Sequence, residues 1–165
     1  MPAVNNFRPR VLVADPDPET SALLARQLEW AGYDVTTAGN GRDALDLINR
    51  LRPQAVILEV TMEMLTGYEV VRLLREDQRN RLMPVIMISA RAGKLDRDFA
   101  FTSGADDYVK KPFHSSQLVA RLGLLLPASI KPPPVKPVLV TSEPETPTPQ
   151  PMTRRPLTPV LSFTR

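Results

Sequence analysis

A chain of 165 residues, 42% of them hydrophobic, is long enough for one packed domain with some chain to spare. It has no cysteine, which excludes disulfides and thiolate chemistry and fits a reducing, cytoplasmic setting; no apolar run approaches the ~18–20 residues of a membrane span, and Met1 to Arg10 lack the apolar centre of a secretory signal. The net charge of +3 sits at one end: residues 1–126 hold 16 basic and 16 acidic residues and residues 127–165 hold five and two, so the high pI belongs to the tail and does not describe a basic nucleic-acid-binding face on the domain.

Residues 1–9 read as a polar extension, and Val11-Leu-Val-Ala14 as a short apolar strand. Asp17 then stands as an N-cap, with Pro18 at the first helical position and Glu19 complementing the helix dipole. Leu23, Leu24, Leu28 and Ala31 recur at helical spacing until Gly32 stops the run. Tyr33–Ala38 alternates in polarity, as a half-exposed strand does. Gly39-Asn-Gly41 turns into a second helix that continues through Leu51, with Ala44, Leu45 and Ile48 on one face, and Pro53 breaks it.

Ala55–Val60 is a third, apolar strand ending near Glu59, and Gly67–Arg79 a third helix with Val70, Val71 and Leu74 inward. Pro84 introduces a fourth strand, Val85-Ile-Met-Ile-Ser89, and Lys94–Ser103 forms a weaker helix ended by Gly104. Tyr108–Lys110 is a short fifth strand. The last helix is capped by His114 or Ser115 and carries Leu118, Val119, Leu122 and Leu125.

Five β-α units in strict alternation predict one parallel sheet with helices on both faces. The wholly apolar strands one, three and four belong in the centre, and the mixed second and short fifth strands at the edges. The order 2-1-3-4-5 satisfies this and places the topological switch, where such sheets bind ligands, between strands one and three. Asp15 and Glu59 end those two strands; Ser89 ends the fourth, and Lys111 comes just after the fifth. The domain is therefore expected over residues 10–126. In residues 127–165, eleven of 39 are proline, which predicts an extended or disordered tail without a second globular domain.

The run Val11-Leu-Val-Ala-Asp15-x-Asp17-Pro-Glu19, then Ile57-Leu-Glu59, then Pro84-Val-Ile-Met-Ile-Ser89-Ala90, then Gly104-Ala-Asp-Asp-Tyr108-Val-Lys-Lys111-Pro112-Phe113 resembles the receiver domain of bacterial two-component response regulators. The resemblance covers roughly residues 10–126. It implies a phosphoacceptor position at Glu59, a phosphoryl-binding hydroxyl at Ser89, a pairing lysine at Lys111 and an aromatic switch at Tyr108. It also implies a Mg²⁺ site drawing on Asp15, Glu59 and the Thr61 backbone carbonyl, and a cis Lys111–Pro112 bond. Phosphorelay signalling, a histidine kinase partner and an output face on helix four, strand five and helix five come with it.

Two departures bear on the chemistry. Glu59 stands where the family has the acceptor aspartate, and Pro16 stands where a second metal-binding acid is expected. The extra methylene displaces the carboxylate by about 1.5 Å, a shift that in-line phosphoryl transfer tolerates poorly. Proline offers Mg²⁺ no side-chain oxygen, so the metal site is weakened or lost. The expectation is a stand-alone, phosphorylation-independent, non-enzymatic receiver with no obligatory cofactor, in which the longer Glu59 reaches Lys111 or Ser89; the alternative is a receiver still regulated by phosphorylation or weak Mg²⁺ binding at Glu59.

Asp107 and Arg121 match positions that pair across a dimer in many DNA-binding regulators, so a homodimer face is one expectation and a local ion pair the other. The tail carries Pro134-Val-Lys-Pro137 and Pro156-Leu-Thr-Pro159, a docking peptide or a plain linker; with no helix-turn-helix, direct DNA binding is disfavoured. Gly39-Asn-Gly41-Arg-Asp-Ala44 matches a dinucleotide fingerprint on paper, which would make a nucleotide-binding enzyme; its mixed preceding strand argues against that.

Overall fold

A computed structural model describes residues 7–91 and 93–132. The strands are β1 (Arg10–Ala14), β2 (Asp34–Ala38), β3 (Ala55–Glu59), β4 (Val85–Ser89) and β5 (Asp107–Lys110). The helices are α1 (Pro18–Trp30), α2 (Gly41–Leu51), α3 (Gly67–Glu76), α4 (Lys94–Ser103) and α5 (Ser115–Leu125). All neighbouring strands pair in parallel in the order β2-β1-β3-β4-β5, as expected.

Strand parity divides the apolar residues between two cores. Leu12, Val56, Leu58, Val85, Met87 and Tyr108 face α2, α3 and α4, meeting Ile48, Val71, Leu74 and Ala100. Val11, Val13, Ile57, Ile86, Ile88 and Val109 face α1 and α5, meeting Leu24, Leu28, Leu118 and Leu122. β3 and β4 are buried along their whole length, which is why their sequences read as unbroken apolar runs.

The helix starts obey local chemistry. The Asp17 side chain accepts from the Glu19 and Thr20 N–H groups, and Asn40 caps α2 through the Asp43 N–H. Thr66 and Glu69 form a reciprocal capping box at the start of α3, a signal that Thr66-x-x-Glu69 carries in the sequence although the apolar pattern does not show it. His114 takes the N-cap position of α5, but no side-chain cap bond forms there.

Several strand ends shift by one residue, and three larger differences have a visible cause. α3 ends at Glu76 instead of Arg79, because Asp77 folds a turn: its carboxylate accepts from the Arg79 N–H at 3.0 Å and the Asn80 amide at 2.7 Å. The sheet begins earlier than the extension suggested, since the Pro9 carbonyl accepts from the Asp34 N–H at 2.9 Å. Residues 127–132, assigned to the tail, include a short 3-10 turn, Ala128–Ile130, that lays Ile130 against the α1–α5 core. The remainder of the expected tail, with both P-x-x-P stretches, lies outside the described residues.

Arg75 ties distant segments together. Its guanidinium donates to the carbonyls of Gly104 and Met83 and to the Asp106 carboxylate, each at 2.9 Å, and that carboxylate also accepts from the Val85 N–H at 2.7 Å. The start of β4 and the α4–β5 loop are thereby set against α3.

At Gly41 the backbone of the β3–α3 loop passes so close that a Cβ would sit 2.0 Å from the Leu65 carbonyl oxygen, while the Gly41 N–H donates to the Glu63 carbonyl. The turn that resembled a phosphate cradle is thus filled by the chain's own loop. Gly41→Ala is expected to lower the urea midpoint at unchanged m-value, by about 1–3 kcal/mol for an overpacked contact. Gly39→Ala, with no heavy atom within 4 Å of the added Cβ, should stay within about 0.5 kcal/mol.

Candidate functional site

The carboxyl ends of β1, β3, β4 and β5 converge on one pocket. Ala14 lies opposite Leu58, Glu59 opposite Ile88 and Ser89 opposite Lys110, so the residues that end each strand come to the same rim. Asp15, Glu59 and Ser89 are all buried, at 2%, 6% and 1% exposure. Charge at such depth must be matched by an opposite charge or by donors.

Lys111 supplies the match. Its Nζ lies 2.5 Å from Asp15 Oδ2 and 2.6 Å from Glu59 Oε2, bridging two acids from neighbouring strands. The other oxygens are also taken. Asp15 Oδ1 accepts from the Asp17 N–H at 2.9 Å, and Glu59 Oε1 from the Thr61 N–H at 3.2 Å. Ser21 Oγ closes the shell by donating to the Asp15 carbonyl at 3.1 Å. Gly67 lets the next helix start against β3: a Cβ there would meet the Glu59 carbonyl oxygen at 2.5 Å.

Ser89 and Tyr108 form a second, adjoining group. Ser89 Oγ accepts from the Arg91 N–H at 3.1 Å, and the Tyr108 hydroxyl donates to the Arg91 carbonyl at 2.7 Å. Tyr108 is buried with its ring turned inward. Burial raises its pKa, opposed by the neighbouring Ser89 hydroxyl. Glu59 therefore reaches Lys111, one of the two expected partners. Ser89 is instead held by the backbone of Arg91, a link that sequence reasoning misses because a backbone partner leaves no residue-type signal. The Lys111–Pro112 bond is cis.

Asp107 and Arg121 meet within one chain. The guanidinium Nη1 lies 2.8 Å and 2.7 Å from the two carboxylate oxygens, joining β5 to α5.

Mg²⁺ is the cation implied for such a pocket. A hard dication in octahedral geometry needs several oxygens. Among the described residues, Asp15 and Glu59 are the buried carboxylates at this rim, both are bonded to Lys111, and Pro16 contributes none. Among the described residues no buried side-chain polar atom lacks a partner, and no group of three or more potential metal-binding side chains occurs. As arranged, Lys111 is bonded to both carboxylates and Pro16 adds no oxygen, so a cation held by Asp15, Glu59 and the Thr61 carbonyl would have to compete with Lys111.

A doubly wound parallel sheet with two acids at its switch point, a hydroxyl on the next strand end and a lysine after the fifth defines a receiver-type pocket. Residues 11–123 match the family described as the response regulator receiver domain, and the chain belongs to that family. It is 37% identical over 119 residues to the DNA-binding response regulator MtrA of Mycolicibacterium smegmatis, covering 72% of this chain and 51% of that protein. The chain thus spans about half the length of the curated relatives it matches.

Among solved structures, the receiver domain of the Francisella response regulator 1452 shares 34% identity, with a TM-score of 0.67 over 72% of this chain and 96% of that one. The receiver domain of the sensor histidine kinase PA1611 from Pseudomonas aeruginosa PAO1 has a magnesium ion coordinated in its active-site cleft. It is 27% identical, with a TM-score of 0.67, covering 72% of this chain and 97% of that one.

The bridge leaves a pH signature. Burial lowers the Lys111 pKa, but its bonds to Asp15 and Glu59 outweigh this and hold the pKa above the ordinary lysine value of 10.5. A group whose pKa is higher in the folded state stabilises fully below its unfolded pKa and loses that contribution as pH climbs through the folded value. Denaturant stability should therefore fall as pH rises beyond about 10.5. Tyr33, Tyr68 and Tyr108, also raised by burial, act in the same direction. Lys111→Met is thus expected to flatten the alkaline decline only in part, read from urea midpoints across that pH range.

Proposed function

We propose that this receiver domain acts in two-component signalling as a protein-interaction module whose state is set by a permanent internal ion pair instead of by phosphorylation. One observation carries the reading: the Lys111 ammonium sits between Asp15 and Glu59, bonded to both. Glu59 extends its carboxylate further from β3 than an aspartate would, and Lys111 takes it up. The lysine that would meet an incoming phosphoryl group is already engaged, and the acid that would attack is already paired.

The missing metal donor at Pro16 points the same way, because phosphoryl transfer relies on a cation to offset charge on the incoming group. The inward, hydrogen-bonded Tyr108 fits a pocket fixed toward one switch state. On this reading the domain is not an enzyme and takes no obligatory cofactor. Partners, a histidine kinase among them, meet it across α4, β5 and α5, where Leu95 and Phe99 are exposed. The Asp107–Arg121 pair, satisfied within the chain, serves as a local brace on that face; its Arg side chain is 37% exposed, so it adds little stability. With basic and acidic residues equal over 1–126, DNA contact is left out of the role.

Incubation with acetyl phosphate and Mg²⁺, then intact-mass measurement, is expected to leave the wild type unmodified. A stoichiometric gain of about 80 Da on Glu59 overturns the proposal. Restoring the two family residues with Pro16→Asp and Glu59→Asp should recover the adduct, which shows that the rest of the pocket keeps its architecture.

A further inference from the structure

Among the described residues, the most exposed large apolar side chain is not on the α4–β5–α5 face. Trp30, at the end of α1, is 88% exposed, and Leu23, two turns earlier, is 49% exposed. Between them and α5 runs a groove of about 690 Å³, lined by Leu23, Gln27, Trp30, Val119 and Ala120. A second cavity of about 490 Å³ shares Leu23, Gln27 and Ser115 with it and carries the groove on past Phe113 to Lys111. Arg26 and Glu29 both line the first part, so charge selects neither an acidic nor a basic occupant and the surface is read as apolar.

The chain itself points to an occupant. After α5 it turns back through Ala128–Ile130, with Ile130 packed on the α1–α5 core. It then reaches Gly32, where Pro132 Cβ lies 2.8 Å from the position of a glycine Cβ. Pro132 thus stands against a residue two positions beyond Trp30, at the mouth of the groove. The next eight residues are Pro133-Pro-Val-Lys-Pro-Val-Leu-Val140, apolar at seven of eight positions. From Trp30 back to Thr20 is ten helical steps, about 15 Å. A proline-rich strand advances about 3.1 Å per residue, so about five residues span that distance.

We propose that residues 133–140 lie in the α1–α5 groove of their own domain, covering Trp30 and ending beside the Lys111–Phe113 segment. Aromatic-lined grooves suit such segments because proline has already lost the freedom that docking would otherwise cost. The tail then covers the α1 side of α5.

Trp30 is the single tryptophan of the chain, so intrinsic fluorescence of the full chain reads the groove directly. The expected result is a blue-shifted emission with weak acrylamide quenching, independent of protein concentration. Val138→Asp with Leu139→Asp should shift the emission red and strengthen the quenching while far-UV circular dichroism stays the same. Emission typical of an exposed indole, unmoved by those changes, overturns the proposal. So does protection that disappears on dilution and ignores the tail substitutions, the mark of a second copy.

The absence of native cysteine allows an independent check. In the full chain, Ala120→Cys with Val135→Cys should close an intramolecular disulfide faster than Arg72→Cys with Val135→Cys, whose partner lies on a helix of the opposite face. Equal rates for the two pairs overturn the proposal.

Discussion

The site depends on one ammonium between two carboxylates. Asp15 and Glu59 lie on adjacent strand ends, almost fully buried, and each would be costly to leave charged without compensation. Lys111 comes from 96 residues after Asp15 and closes the pocket across the top of the sheet. Such a bridge is weak evidence for stability, since taking three charges from water offsets much of their attraction. With Lys111 in place, all four carboxylate oxygens of Asp15 and Glu59 are bonded.

The rest of the architecture serves to bring those three side chains together. Parallel pairing aligns the carboxyl ends of β1, β3 and β4, and strand parity sends alternate side chains to two separate cores. Arg75 and the Asp106 carboxylate anchor the start of β4. Ser89 and Tyr108 share Arg91 as their hydrogen-bonding partner, so the β4–α4 loop, and not Glu59, fixes both. The acid–lysine bridge and the hydroxyl–tyrosine pair are two neighbouring units that meet at the same rim without a direct bond between Glu59 and Ser89.

Much of this was legible in the residues. Apolar runs bounded by Pro53, Pro84, Gly32 and Gly104 gave five strands and five helices in order, and β4 and α4 came out to the residue. The places that were harder to read share a cause. The end of α3 is decided by Asp77 folding back on Asn80, which also bonds Asn49 in α2. The Gly39–Ala44 spacing matches a nucleotide turn on paper, the mixed strand before it argues against that, and only the structure shows Leu65, from a different loop, packed against Gly41. Asp107 and Arg121 are chemically equal to a dimer pair or a local one; within one chain their side chains meet at 2.7 Å.

Sequence alone determined the alternation, the sheet order and the set of groups at the switch point, because periodicity and turn residues are local and the order rests on which strands can be buried on both faces. It also determined that Glu59 is one methylene too long for an aspartate's place and that Pro16 has no oxygen to give. Only the tertiary structure decided where the longer carboxylate goes. Lysine, hydroxyl and backbone amides all stand within the span of a glutamate side chain on paper. The choice of Lys111 and the Thr61 N–H rests on side-chain directions that exist only once β1, β3 and the turn after β5 have been packed together.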